Sequence, residues 1–165
     1  MNSLALSFIS TVIIGLGATL TLDLWTLFLQ YAFKATPSSI CLVGRWFRTM
    51  PEGIFKHPNI ASSPQKGAEC TVGWIVRYMV GVLFSLAFLA LAGSHWLERP
   101  TLIPAVSFGA VTVLVPFFIM QPAFGLGLAA AKTSKPAQAR LRSLMNHTVF
   151  GIGLYLFGLL GSWLS

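Results

Sequence analysis

Four polar side chains lie inside or beside long apolar stretches, where such groups are rare: Asp23, Arg77, Gln121 and His147. Ionisable groups within hydrocarbon are costly, so they tend to face the interior of a helical bundle and to pair. Asp23 is the only acid and Arg77 the only base inside these stretches, which predicts an ion pair between them. Gln121 and His147 would complete a polar cluster able to bind a small polar or anionic molecule.

Two other interpretations of the four side chains stay open. All four could be solvated in the headgroup layer, with the longer side chains reaching water along their apolar stems. A cluster could also serve only to fix the register of the helices, as buried polar groups sometimes do.

The composition predicts the elements that position these residues. Hydrophobic residues make up 55% of the 165 residues and charged residues only 9%, whereas a soluble domain carries about 25% charged residues. The mean hydropathy is +0.76. We therefore expect an all-α integral membrane four-helix bundle that forms a single transmembrane domain. Its spans are predicted at about residues 3–24, 71–94, 101–131 and 146–164, and each is long enough to cross roughly 30 Å of hydrocarbon. The first span lacks the basic start and cleavage site of a signal peptide, so we expect it to be retained.

Charge in the connections predicts the orientation. The net charge of +7 comes mainly from Lys and Arg in residues 34–70 and 132–143, and short basic loops stay in the cytoplasm. Both termini are then outside, and Trp96 and Trp163 fall at the outer interface. The same pattern favours a lipid bilayer over nucleic acid as the partner of the basic residues. Counted from the outer ends of the spans, the four polar residues all lie about 16–19 residues deep, or roughly 24–28 Å, near the cytoplasmic edge.

The first basic loop contains an amphipathic pattern. Ser39 could cap a helix that ends near Met50. Its apolar side would carry Ile40, Val43, Phe47 and Met50, with Arg45 and Arg48 on the opposite side. Such a helix would lie in the inner headgroup layer or pack as an ordinary loop helix on the bundle, and the pattern supports both equally.

The third span contains Pro116 and Pro122, with Gln121 directly at the expected break. Proline lacks an N–H and frees a carbonyl one turn earlier, and broken helices at membrane depth either line cavities or are stabilised by neighbours. A packing kink without function is equally compatible. Eight glycines are predicted to provide small surfaces for close helix contact: Gly15, Gly17, Gly81, Gly125, Gly127, Gly151, Gly153 and Gly158.

Catalytic and metal chemistry receive little support. Cys41 and Cys70 lie in predicted cytoplasmic loops, so we expect reduced thiols and no disulfide framework. Glu52, His57, Glu69 and His147 have none of the usual metal-ligand spacings. No nucleophile and histidine arrangement can be argued. We therefore expect no cofactor and no metal, and an enzyme is less favoured than a non-enzyme.

Four segments of the chain begin GRWFRTMPEG, GAECTVGWIVRY, PTLIPAVSFG and ARLRSLMNHT, and they cover residues 44–60, 67–78, 100–133 and 139–156. These segments resemble a family of small bacterial inner-membrane proteins that is known as a domain of unknown function. The resemblance covers nearly the whole chain and implies a four-helix membrane protein without a particular activity. It marks Asp23, Glu52, His57, Glu69, Trp74, Gln121 and His147. It also implies a histidine where this chain has Arg77, so the partner of Asp23 would vary within the family.

The leading hypothesis is a cytoplasm-facing polar pocket that binds a small polar or anionic molecule. The expected ligand-binding residues are Asp23, Arg77, Gln121, His147, Glu69, His57 and Trp74. Asp23 and His147 would handle protons or the ligand, Arg77 would hold an anion and Gln121 would orient it. Transport would favour a homodimer, because four helices are few for a conduction path. The alternative is a non-catalytic scaffold or partner subunit that binds other membrane proteins through its glycine surfaces.

Overall fold

The computed structural model describes residues 3–35 and 39–164, and that part of the chain is helical and loop structure without strands. The α-helices are α1 (Ser3–Phe33), α2 (Ile40–Thr49), α3 (Glu69–Ala92), α4 (His95–Glu98), α5 (Leu102–Val111), α6 (Gln121–Ala123) and α7 (Pro136–Leu164). Short 3-10 helices lie at Met50–Glu52, Ile60–Ser62 and Leu128–Ala130, and a π-helix lies at Pro116–Met120.

Within the described residues, four helical stretches are long and apolar enough to cross a membrane: Leu6–Phe33, Glu69–Ala92, Leu102–Ala123 and Pro136–Trp163. The all-α membrane fold expected from the sequence is confirmed. The third stretch ends at Ala123, whereas the sequence predicted a span continuing to about residue 131. The difference has a physical cause, because Gly125 and Gly127 adopt positive φ angles of 84° and 76° and leave the helical region.

The described chain divides into two compact units. The bundle unit consists of residues 3–35, 78–112 and 145–164. The loop unit consists of residues 39–77 and 113–144.

Glycines bring the helices of the bundle unit into backbone contact. A Cβ atom on Gly15 of α1 would lie 2.7 Å from the Cα of Val82 on α3, and one on Gly153 of α7 would lie 2.7 Å from the Cα of Ala18. A Cβ on Gly151 would lie 2.6 Å from the carbonyl oxygen of Ala105 on α5. Larger residues at these positions would separate the helices, so the predicted packing role of these glycines is confirmed. Gly125 and Gly127 differ, because they shape a loop.

The core of the bundle unit is aromatic at one end. Phe88 and Trp96 are buried with ring centroids 4.8 Å apart, and the Trp96 indole N–H donates to the carbonyl of Thr101 at 3.3 Å. Trp96 therefore contributes to the core, not to an exposed aromatic belt, whereas Trp163 is 79% exposed.

The loop unit has a smaller core. Ile60, Ala123 and Phe124 are buried, and the half-buried side chain of Trp46 on α2 packs against them. The Trp46 and Phe124 rings meet edge to face with centroids 5.7 Å apart. Helix α2 thus lies where the amphipathic pattern predicted it, and one of its sides packs against the core of the loop unit.

Candidate functional site

A buried ion pair joins α2 to the start of α3 within the loop unit. Arg45 Nε donates to Glu69 Oε2 and Arg45 Nη2 donates to Glu69 Oε1, both at 2.8 Å. Arg45 is 4% exposed and Glu69 9%. Two parallel charge-assisted hydrogen bonds in this fork geometry are the strong form of a carboxylate contact.

The remaining polar atoms of this pair are also satisfied. Arg45 Nη1 donates to the carbonyls of Ile60 at 3.0 Å and Ser63 at 2.8 Å, and Glu69 Oε2 accepts from the backbone N–H of Lys66 at 2.9 Å. The hydrogen bond and charge of Glu69 raise the pKa of Arg45 against the opposing effect of burial. A buried charge is tolerated only with such complete pairing. The prediction that Arg45 lies on the outward polar side of α2 is therefore wrong, whereas Arg48 is exposed as expected.

Two glycines let α2 and α3 approach at this ion pair. A methyl group on Gly44 would overlap the carbonyl oxygen of Glu69, and one on Gly73 would overlap that of Ile40. One turn earlier on each helix, Cys41 and Cys70 form a disulfide. The expectation of two separate reduced thiols is therefore wrong for this structure. The sequence did contain a signal, because C-x-x-G occurs in both helices, as CLVG at 41–44 and CTVG at 70–73.

His57 is held inside the loop unit by two hydroxyl groups. Its Nε2 lies 3.1 Å from Thr49 Oγ1 and its Nδ1 lies 3.0 Å from Ser63 Oγ. Ser63 also accepts from Arg45 through its carbonyl, so two of the predicted site residues, His57 and Glu69, belong to one polar network centred on Arg45. The sequence reasoning missed Arg45 as the residue that connects them.

A basic groove lies beside this network. We define it by Lys56, His57, Pro58, Pro122, Gly125, Gly127, Leu128, Ala131 and Lys132, and it encloses about 690 Å³. Lys56 and Lys132 are exposed, and His57 is buried in the groove wall. No carboxylate belongs to this set of lining residues. The groove is therefore electropositive along its exposed rim.

Backbone hydrogen bonds fix the two segments that form the groove. His57 N–H donates to the carbonyl of Ala123 at 2.8 Å, and Ile60 N–H donates to that of Phe124 at 3.1 Å. Gly125 has a φ of 84°, and a Cβ there would overlap the carbonyl oxygen of Pro58. Glycine is thus required at this position both for its backbone conformation and for the close approach.

Gln121 lies where the prolines interrupt the third helical stretch. The π-helix Pro116–Met120 precedes it, and the Gln121 N–H donates to the carbonyl of Pro116. Its side chain is 5% exposed. Gln121 Nε2 donates to Ser143 Oγ at 3.3 Å, whereas its Oε1 has no hydrogen-bond partner in the described chain. π-bulges occur frequently at functional sites, and an unsatisfied buried oxygen costs about 1–3 kcal/mol.

The bundle unit holds two other predicted site residues in separate contacts. The hydroxyl of Tyr78 donates to Asp23 Oδ2 at 2.9 Å. His147 Nδ1 lies 2.7 Å from the hydroxyl of Thr112. In the loop unit, the guanidinium carbon of Arg77 lies 6.0 Å from the ring centroid of Trp74, the geometry of a cation–π contact. The ion pair between Asp23 and Arg77, and the cluster of four, remain predictions.

These observations define the class of the protein: an all-α membrane protein with four helices long and apolar enough to cross a bilayer. A family model described as protein of unknown function, DUF2938, matches residues 12–161, and the chain belongs to that family. The resemblance noted in the sequence motifs is thereby confirmed. No curated protein and no solved structure matches the chain.

Proposed function

We propose that this protein binds a small anionic molecule in the basic groove of the loop unit, at the cytoplasmic face of the bacterial inner membrane. The observation that carries the proposal is the pair of exposed ammonium groups, Lys56 and Lys132, on a groove with no carboxylate in its lining. A concave surface lined by charge of one sign raises the local concentration of counter-ions.

The acids of the loop unit are engaged away from the groove. Glu69 pairs with Arg45, and Glu52 pairs with Lys66 at 2.6 Å. These carboxylates therefore do not neutralise Lys56 and Lys132. The uncompensated charge supports an anion, not a cation or a neutral solute, as the ligand.

The groove is also preorganised. The hydrogen bonds from His57 and Ile60 to Ala123 and Phe124 fix its walls before any ligand arrives. Binding then loses less conformational entropy than it would with mobile loops. A ligand bound in the groove would lie beside His57, one of the residues expected from the sequence, and within one compact unit.

Orientation and transport belong to the same proposal. The Lys and Arg content of residues 34–70 and 132–143 supports a cytoplasmic groove by the positive-inside rule. Movement of the bound anion across the membrane would be an added step that favours a homodimer, because four helices are few for a conduction path. The scaffold alternative has less support, because several of its glycine surfaces are occupied by helix contacts inside the bundle unit.

The test is a calorimetric titration of the full chain, in neutral detergent and at constant ionic strength, with inorganic phosphate. We expect saturable binding in the native protein. The double substitution Lys56→Ala and Lys132→Ala should weaken it by roughly 100-fold, since it removes two charged contacts of about 1.5 kcal/mol each.

Lys135→Ala is the matched control, because Lys135 is exposed and follows Lys132 by three residues in the sequence but does not line the groove. The phosphate affinity of Lys135→Ala should stay within about twofold of the native value. Equal losses in both variants would contradict the proposal. A second titration in nanodiscs distinguishes a free anion from a lipid headgroup: suppression of phosphate binding by anionic lipid, but not by neutral lipid, would assign the groove to headgroups instead.

A further inference from the structure

The two cysteines of the Cys41–Cys70 disulfide differ in exposure. Cys70 is exposed and Cys41 is half-buried, and each is the second residue of its helix, α2 or α3. Thiol–disulfide exchange requires in-line approach of a thiolate to one sulfur, so accessibility decides which sulfur reacts. Cys70 is therefore the more accessible cysteine of the pair, and its sulfur is the expected point of attack.

The contact between α2 and α3 does not depend on this disulfide. The two hydrogen bonds between Arg45 and Glu69 connect the same two helices, and Gly44 and Gly73 allow their backbones to touch one turn away. Neither contact involves a sulfur atom, so we expect both to persist when the sulfur–sulfur bond is broken. The two thiols of the reduced form would therefore stay adjacent, which is the condition for rapid reoxidation.

From the exposure of Cys70 and these independent contacts, we propose that Cys41 and Cys70 are a redox-active pair that exchanges with a dithiol reductant. The predicted orientation adds support: the basic loops place both residues in the cytoplasm, where disulfides are usually transient and are either catalytic or redox-sensing.

The exchange balances as follows. A thiolate of the dithiol attacks Cys70 Sγ, the Cys41–Cys70 bond breaks, and Cys41 Sγ leaves with the electron pair and takes a proton from water. The second thiol of the reductant, after losing its proton, attacks the reductant sulfur of the mixed disulfide and releases Cys70 as a thiolate, which takes a proton from water. Two electrons and two protons pass to the cysteine pair, and the reductant becomes a disulfide. The N-terminus of α2 favours the negative charge on the departing Cys41 sulfur.

The experiment uses the purified full chain in detergent. The folded protein is treated with dithiothreitol, quenched with acid, and reacted with a maleimide that adds a gel shift for each thiol. We expect two thiols to become reactive within minutes while the circular dichroism spectrum and the cooperative thermal transition persist. Resistance to reduction until the chain unfolds would overturn the proposal and make the disulfide a structural crosslink.

Single substitutions compare how accessible the two sulfurs are to a small disulfide partner. With oxidised glutathione, Cys41→Ser should form a mixed disulfide at Cys70 at least tenfold faster than Cys70→Ser forms one at Cys41, as measured by intact mass. Equal rates, or faster reaction at Cys41, would contradict the assignment of Cys70. If a variant fails to fold, the reduction of the native chain alone still decides whether the pair is redox-active.

Discussion

Arg45 and Glu69 form a buried bidentate ion pair that connects α2 to the first turn of α3, with both N–O distances at 2.8 Å. The Cys41–Cys70 disulfide joins the same two helices, and their backbones touch at Gly44 and Gly73. The ion pair therefore organises the loop unit, and its removal has consequences that can be measured.

Arg45→Ala should destabilise the protein by about 3–5 kcal/mol, because it leaves the Glu69 carboxylate buried and uncompensated. Arg45→Met combined with Glu69→Leu should restore much of that loss, since no unpaired charge remains. Denaturant titration of the full chain in detergent measures both.

The control is Lys66→Ala, which removes the exposed Lys66–Glu52 pair and should cost about 1 kcal/mol or less. If Arg45→Ala cost no more than Lys66→Ala, the ion pair would not be organising the loop unit.

Gly125→Ala should be far more damaging than Gly53→Ala. Both glycines have positive φ, at 84° and 77°, so both substitutions incur the left-handed backbone cost of about 1–2 kcal/mol. Only at Gly125 would the new Cβ also meet a backbone carbonyl, that of Pro58, whereas nothing lies within 4 Å at Gly53. In Gly125→Ala the thermal unfolding temperature and the phosphate affinity should both fall. In Gly53→Ala the phosphate affinity should be retained. Similar behaviour of the two variants would mean that the groove walls are not in tight contact.

A double-mutant cycle tests the predicted ion pair between Asp23 and Arg77. If the two charges pair at membrane depth, the change in unfolding free energy of the double variant should differ from the sum of the changes in Asp23→Asn and Arg77→Gln by about 1 kcal/mol or more. Tyr78→Phe is the reference, because it removes one known hydrogen bond to Asp23 and should cost about 1 kcal/mol. Additive costs would instead favour two separately solvated groups.

Cysteine labelling tests the orientation, and the disulfide changes how it must be done. A membrane-impermeant maleimide should label neither cysteine until the pair is reduced. After reduction, Cys41 should react only in inside-out vesicles if the first basic loop is cytoplasmic. Labelling in right-side-out vesicles would reverse the predicted topology.

The sequence by itself determined the number and character of the long helices. Charged residues make up only 9% of the chain, which is too little to cover a water-facing surface, so lipid-facing helices follow from composition alone. The packing role of Gly15, Gly151 and Gly153 also followed, because small residues are what close helix contacts in a membrane require. The pattern around residues 39–50 placed α2 to within a residue at its end.

Only the tertiary structure decided which polar groups meet. A helical wheel places Arg45 away from the apolar side of α2 and therefore toward water, since periodicity carries no information about a carboxylate 24 residues further along the chain. The disulfide was missed because the C-x-x-G spacing shared by α2 and α3 does not by itself show that the two helices meet. Cys41 and Cys70 become neighbours only when Gly44 and Gly73 bring two helix backbones together, and such a contact depends on the distance between helices rather than on the spacing of residues within either one.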